Sequence, residues 1–181
     1  MMTRLETARL SLRRPTEDDI PVLSGLWRDE RVQQYLGRVL TQEAAEERVA
    51  RLLQSWDEQN FGLWAVYERN ANIAIGLCGL SPLEEVVELS YKFAPDFWGR
   101  GYATEAATAS LDEGFRRLAL ERIVGMTQSA NTGSQRVLEK LGMRFERSLR
   151  AWDAEQYFYR LNRDYWLRDR PQSTPAHKQS S

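Results

Sequence analysis

Apolar and polar residues alternate with a period of two from Arg9 to Arg14, where Leu10 and Leu12 share a face, so the chain is expected to open on a strand. Pro15 ends it. Thr16, with Asp19 three residues on, opens a helix that aligns Ile20, Leu23, Leu26 and Trp27. A second helix is expected from Thr41 to about Asn60, with Ala45, Val49, Leu52, Leu53 and Trp56 at helical spacing. Glu43, Glu46 and Glu47 crowd its first half, where the helix dipole favours acids. The linker from Val32 to Leu40 has no clear period and is a candidate border for a substrate cleft.

The middle of the chain is β-rich. Leu63 to Glu68 and Ile73 to Leu80 read as strands joined by the turn Arg69 to Asn72, with Gly76 and Gly79 as candidate bulges. Ser81-Pro82 is expected to turn the chain into a strand from Val86 to Phe93. Its alternation puts Val87, Leu89, Tyr91 and Phe93 on one face and Glu88, Ser90 and Lys92 on the other. Then come a helix from Ala103 to Leu118, a short strand from Arg122 to Thr127 and a helix from Asn131 to Leu141 closed by Gly142. Two strands follow, about Met143 to Leu149 and Gln156 to Leu161. The order is β-α-α-β-β-β-α-β-α-β-β, an α/β (α+β) fold on a mixed central sheet of six to seven strands. Residues 1–170 read as one domain, with 171–181 as a disordered tail.

Between the strand ending at Phe93 and the helix from Ala103 lies Trp98-Gly99-Arg100-Gly101-Tyr102-Ala103-Thr104. Two glycines at a helix mouth allow dihedrals that a β-carbon forbids and let a ligand lie on bare backbone. The unpaired amides and partial positive charge of a first helical turn suit a phosphate. No Ser/Thr-x-x-Glu box closes this end, although Glu105 in the first turn would compete with an anion. A plain tight turn is the alternative.

Composition narrows the picture. Net charge is −1, from 25 basic and 26 acidic residues, which gives no electrostatic case for nucleic acid or an anionic membrane. No apolar run approaches the roughly 18 residues of a membrane span, and no secretion signal opens the chain, so a cytoplasmic protein is expected. The one cysteine, Cys78, excludes a disulfide framework and reads as a small buried hydrophobe. The one histidine, His177, lies near the C-terminus, so neither a histidine triad nor a histidine metal site is expected in the core. Trp27, Trp56 and Trp64 read as core.

Four stretches together, ETARLSLRRPTEDD, FGLWAVYERNANIAIGLCGL, ELSYKFAPDFWGRGYATEA and SANTGSQRVLEKLGMRFE, resemble the GNAT superfamily of N-acetyltransferases. The branch they resemble is that of the ribosomal-protein N-terminal (RimJ/RimL-like) enzymes. The resemblance implies transfer of an acetyl group from acetyl-coenzyme A to an amine, either a small molecule or a protein N-terminus, by a monomer or homodimer needing no metal. It implies that Trp98, Gly99, Arg100, Gly101, Tyr102, Ala103 and Thr104 wrap the pyrophosphate. The superfamily pattern has Gln or Arg where this chain has Trp98, which moves the phosphate role onto backbone and Arg100; a solvated loop charge is the other reading of Arg100. The preceding strand is expected to splay from its neighbour, with a backbone amide among Tyr91 to Ala94 (Phe93 and Ala94 included) holding the thioester carbonyl. Asn131 would bond the pantetheine and Ser134 would sit near the thiol, although both also suit an ordinary helix start. The tyrosine that many members place on this helix to protonate the thiolate is absent: Glu139 stands there, and Ser134, or a water it holds, is the candidate substitute.

An attacking amine must be neutral. At pH 7 a lysine-type amine with pKa ~10.4 costs about 4.6 kcal/mol to deprotonate, and an α-amine at ~7.8 about 1 kcal/mol. One carboxylate is then enough for an α-amine, and Glu88 is the candidate base. The rival reading pairs Glu88 with Lys92 or a neighbouring arginine. A non-catalytic module that keeps the fold and the cofactor is the alternative function.

Overall fold

The computed structural model describes residues 4–169, so the expected tail at 171–181 lies outside the described residues. Its strands are β1 (Arg4–Glu6), β2 (Leu10–Arg13), β3 (Leu63–Glu68), β4 (Ile73–Leu83), β5 (Val86–Phe93), β6 (Arg122–Gln128), β7 (Arg144–Ala151) and β8 (Ala154–Asn162). Its helices are α1 (Ile20–Arg28), α2 (Glu30–Gln33), α3 (Gln42–Gln59), α4 (Tyr102–Asp112), α5 (Thr132–Lys140) and α6 (Arg163–Asp169). One sheet runs β1-β2-β3-β4-β5-β6-β8-β7, antiparallel throughout except for β5 beside β6. Eight strands exceed the six to seven expected. The addition is β1, three residues that are too short to show a period and that exist by pairing Leu5 with Leu12.

The helix ends follow local chemistry. The Thr16 amide donates to the Asp19 carboxylate at 2.7 Å, the reciprocal half of a capping box. Thr41 Oγ1 accepts from the Ala44 amide at 3.3 Å, and Asn60 closes α3 in the left-handed region. Helix α4 stops at Asp112 and continues as a π turn over Glu113–Arg117. Ser81-Pro82 is not the turn: β4 runs on to Leu83, and Glu84 (φ 51°) turns the chain. Pro82 is tolerated because β3 ends at Leu63, opposite Gly79, leaving no strand on that side to want its missing N–H. The bulge falls beside Gly76, where Val66 faces Gly76 but Tyr67 faces Ala74. Gly79 keeps register instead and admits a close crossing, since a β-carbon there would stand 2.2 Å from the Gly62 carbonyl oxygen.

Both sheet faces are covered. On one, Leu23, Leu26 and Trp27 of α1 and Ala45 and Val49 of α3 pack on Ala65 and Leu77. On the other, Tyr102, Ala106, Ala107 and Leu111 of α4, with Leu138 and Trp166, pack on Leu12, Val66, Ile75, Leu80, Leu89 and Phe93. Trp27, Trp56 and Trp64 are buried as expected. Trp64 Nε1 reaches buried Glu113 at 2.9 Å, which satisfies both polar groups. No helix among the described residues is long and apolar enough to cross a membrane.

Candidate active site

The two central strands part. Strands β5 and β6 are paired at one register position, Glu88 opposite Val124, and diverge beyond it toward Phe93 and Gln128. The ladder with β4 fixes which way the β5 amides point. The Ala94 amide donates to the Ile75 carbonyl at 2.9 Å, and alternation sends those of Tyr91 and Phe93 away from β4, into the gap. Ala94 is thereby corrected as an amide donor to a ligand, since its N–H is already spent.

Glu88 stands at the apex of the divergence. Burial pushes its pKa up to about 6, outweighing the nearby Ser90 hydroxyl and Met126 amide of β6, which favour the charged form. The rival pairing with Lys92 or an arginine is not what the structure has. Lys92 lies on the same face of β5 but sits 4.1 Å above the Trp27 ring.

At the far end of the gap is the glycine loop. Gly99 and Gly101 have φ of 73° and 79°, the left-handed region that favours glycine. A β-carbon on Gly99 would meet nothing within 4 Å, so that residue faces open space. The first helical bond of α4 runs from the Glu105 amide to the Gly101 carbonyl, and no side chain caps the helix. The amides of Gly99 to Thr104 find no acceptor among the described residues. Trp98 differs from them: its amide is bonded to the Pro95 carbonyl, so it contributes a ring rather than a donor. That indole donates to the Phe93 carbonyl at 2.7 Å and pins the loop to the end of β5 while remaining 45% exposed.

Two side chains at this mouth behave differently from expectation. Glu105 does not face an incoming anion, because Thr7 Oγ1 (2.6 Å), the Arg9 amide (2.9 Å) and Arg9 Nε (2.7 Å) all donate to it. Burial raises its pKa, but those hydrogen bonds and the Arg9 charge outweigh it and leave the carboxyl below its ordinary value. Arg9 also donates to the Arg100 carbonyl at 2.9 Å, clamping the loop from the β1–β2 turn. Arg100 itself lies 5.5 Å from the Phe97 ring centre, exposed beside the loop. The Tyr102 hydroxyl is taken by Glu68 and its ring by Arg9, so Tyr102 offers only its amide.

The third wall is the start of α5. Asn131 Oδ1 accepts from the Ser134 amide at 3.0 Å, an N-cap that leaves the Asn131 Nδ2 donors available. Ser134 Oγ is 2.7 Å from the Tyr91 hydroxyl, which reaches across the gap from β5. Burial raises the Tyr91 pKa above that of an ordinary phenol, keeping it protonated. Glu139 is exposed and stands near the Tyr159 hydroxyl, away from this pair. The strand pattern places Tyr91 opposite in face to Glu88, but the contact with Ser134, 43 residues on, is a tertiary fact.

A sheet split at one ladder position, an uncapped helix behind two left-handed glycines and a capped helix opposite them are the frame of an acyltransferase of the GNAT type. The acetyltransferase (GNAT) domain family matches residues 9–144, and the chain belongs to it and is an acetyltransferase. Among its relatives, the uncharacterized protein YkkB of Bacillus subtilis (strain 168) is 32% identical over 161 residues, covering 83% of this chain and 91% of that protein. A solved acetyltransferase (GNAT family) from Bacillus anthracis superposes with a TM-score of 0.79 at 27% identity, covering 90% of this chain and 99% of the other. RimL, a ribosomal L7/L12 alpha-N-protein acetyltransferase solved in complex with coenzyme A, shares the fold with a TM-score of 0.75 at 18% identity, covering 86% of this chain and 95% of RimL.

Proposed function

We propose that this chain transfers the acetyl group of acetyl-coenzyme A to a primary amine by direct attack within a ternary complex. The observation that carries the reading is the combination of unpaired amides from Gly99 to Thr104 with a gap that opens from Glu88. The residues present suit the donor: bare backbone with a helix dipole behind it for a diphosphate, and a slot edged by the Tyr91 and Phe93 amides for an extended arm. Acetyl-coenzyme A, when bound, supplies an acetyl group activated as a thioester.

The protein's share is positioning and proton handling. One Tyr91 or Phe93 amide donates to the carbonyl oxygen and stabilises the charge that develops there. Glu88, with a pKa near 6, is ionised at pH 7 yet basic enough to take a proton from the acceptor's ammonium and free the neutral amine that attacks. Its two carboxylate oxygens keep lone pairs free for this. On the opposite side of the gap, Ser134 Oγ, held 2.7 Å from the Tyr91 hydroxyl, donates a hydrogen bond to the departing sulfur, and the thiolate takes its proton from solvent. A thiol with pKa ~8.5 leaves readily as its anion, so this one hydrogen bond is sufficient. The direct test is thiol release from acetyl-coenzyme A over peptides with free N-termini, polyamines and aminoglycosides. Acceptor-dependent release is expected; coenzyme A binding with no release across the panel would contradict transfer.

A further inference from the structure

The face of β5 that carries Glu88 also carries a lysine with no anionic partner among the described residues. Lys92 lies opposite Leu77, and Leu77 belongs to the core formed with α1 and α3, so Glu88, Ser90 and Lys92 look toward those helices. Lys92 Nζ rests 4.1 Å from the Trp27 ring centre, and among the described residues it has no hydrogen bond or ion pair. The charge whose field acts on it is Arg48 of α3, another cation, itself exposed and without an ion pair among the described residues. Burial and Arg48 together lower the Lys92 pKa to about 7, a cost that a bound anion would relieve. Beside them the 34–40 segment returns to α1, with the Leu40 amide donating to the Trp27 carbonyl at 2.9 Å and Leu36 and Val39 exposed.

We infer that Lys92, backed by Arg48 and seated on Trp27, is the subsite for a carboxylate carried by the acceptor. The acceptor is then an amine with a distant acid, as in a short acidic peptide or a long ω-amino acid, rather than a polycation. The inference rests on the proposed transfer to an amine at Glu88. Four residue steps along the strand separate Glu88 from Lys92, about 13 Å between Cα atoms, so the acid must stand several bonds from the amine. Polyamines and aminoglycosides would place positive charge against two cations.

The test uses the full chain saturated with coenzyme A, which binds acceptors without turnover. Calorimetry compares peptides with Glu or Gln at the second or third position, ω-amino acids against their carboxamides, and spermidine. The acid of at least one pair should bind ten-fold or more tightly than its amide, with spermidine weakest. Lys92→Met should erase the difference, Lys92→Arg should keep most of it, and Arg48→Gln, at an exposed site, should reduce it a few-fold. Equal affinities for every pair, a preference that survives in Lys92→Met, or tighter binding of spermidine would overturn the subsite. Thiol release is measured in parallel. Its failure with a persisting acid preference would leave the subsite standing and count against transfer.

Discussion

The two helix mouths that face the gap are built from opposite choices. Helix α5 closes its own end, with Asn131 accepting from the Ser134 amide at 3.0 Å. Helix α4 leaves its end bare behind Gly101, and the one acid in its first turn is drawn aside by Thr7 and Arg9. Both ends carry the same partial charge. The difference teaches that exposed amides at α4 are maintained by structure elsewhere: Arg9 removes the competing carboxylate and holds the Arg100 carbonyl, and Trp98 ties the loop to β5. A helix start that needed only to be stable would look like α5.

The largest expected effect comes from making the bare mouth resemble a filled one. Gly101→Val puts a β-branched side chain at φ 79° and over the amides, and should weaken coenzyme A binding by about 100-fold or more. Gly99→Ala carries the strain of φ 73° but its β-carbon meets nothing in the protein, so a loss of coenzyme A binding larger than the loss of stability seen in a thermal melt marks ligand exclusion.

Next is the base at the closed end of the gap. Glu88→Gln should leave coenzyme A affinity unchanged and lower kcat/KM by about 100-fold or more. The deficit should be widest between about pH 6 and 8 and narrow where the amine deprotonates unaided. In the parent protein, activity should rise through pH 6 as Glu88 ionises. The same shift has a stability consequence of opposite sign. A carboxyl whose folded pKa lies above its ordinary value opposes folding as pH rises from about 4.5 through 6, so Glu88→Gln should be more stable at pH 7, by up to about 2 kcal/mol. Denaturant titration at pH 4 and pH 7 checks this, since the gain should vanish at the lower value.

Smaller effects belong to the capped mouth. Tyr91→Phe and Ser134→Ala should each lower kcat by about 10-fold, and the double variant by little more, because Tyr91 acts only by holding the Ser134 hydroxyl toward the sulfur. Fully multiplicative losses would argue against that dependence. Asn131→Ala removes a cap worth about 1 kcal/mol and should lower Tm by roughly 2–4 °C, with only a few-fold loss of coenzyme A affinity.

What the sequence reveals follows the range of each interaction. The strand alternation that puts Glu88 opposite in face to Tyr91, the caps at Thr41 and Asn131 and the bare glycine loop all depend on neighbours within a few residues, and all are legible. The final helix α6 escapes notice because it is a seven-residue segment held by Trp166 against Phe115, Leu111 and Asp112 rather than by its own pattern. Arg9 on Glu105, Met126 on Glu88, Tyr91 on Ser134 and Lys92 on Trp27 join distant parts of the chain, so no local spacing announces them. The amide of Ala94 also needed the ladder: only its bond to Ile75 tells which of four adjacent residues faces the gap.

The most direct measurement is a set of calorimetric titrations with coenzyme A and with pantetheine, which has the same arm but lacks the diphosphate and the adenosine 3′-phosphate beyond it, and with adenosine 3′-phosphate, which should bind weakly. If the Gly99 to Thr104 amides hold the diphosphate, coenzyme A should bind and pantetheine should bind about 100-fold more weakly or not at all. No heat with coenzyme A, or equal affinity for coenzyme A and pantetheine, would contradict the account.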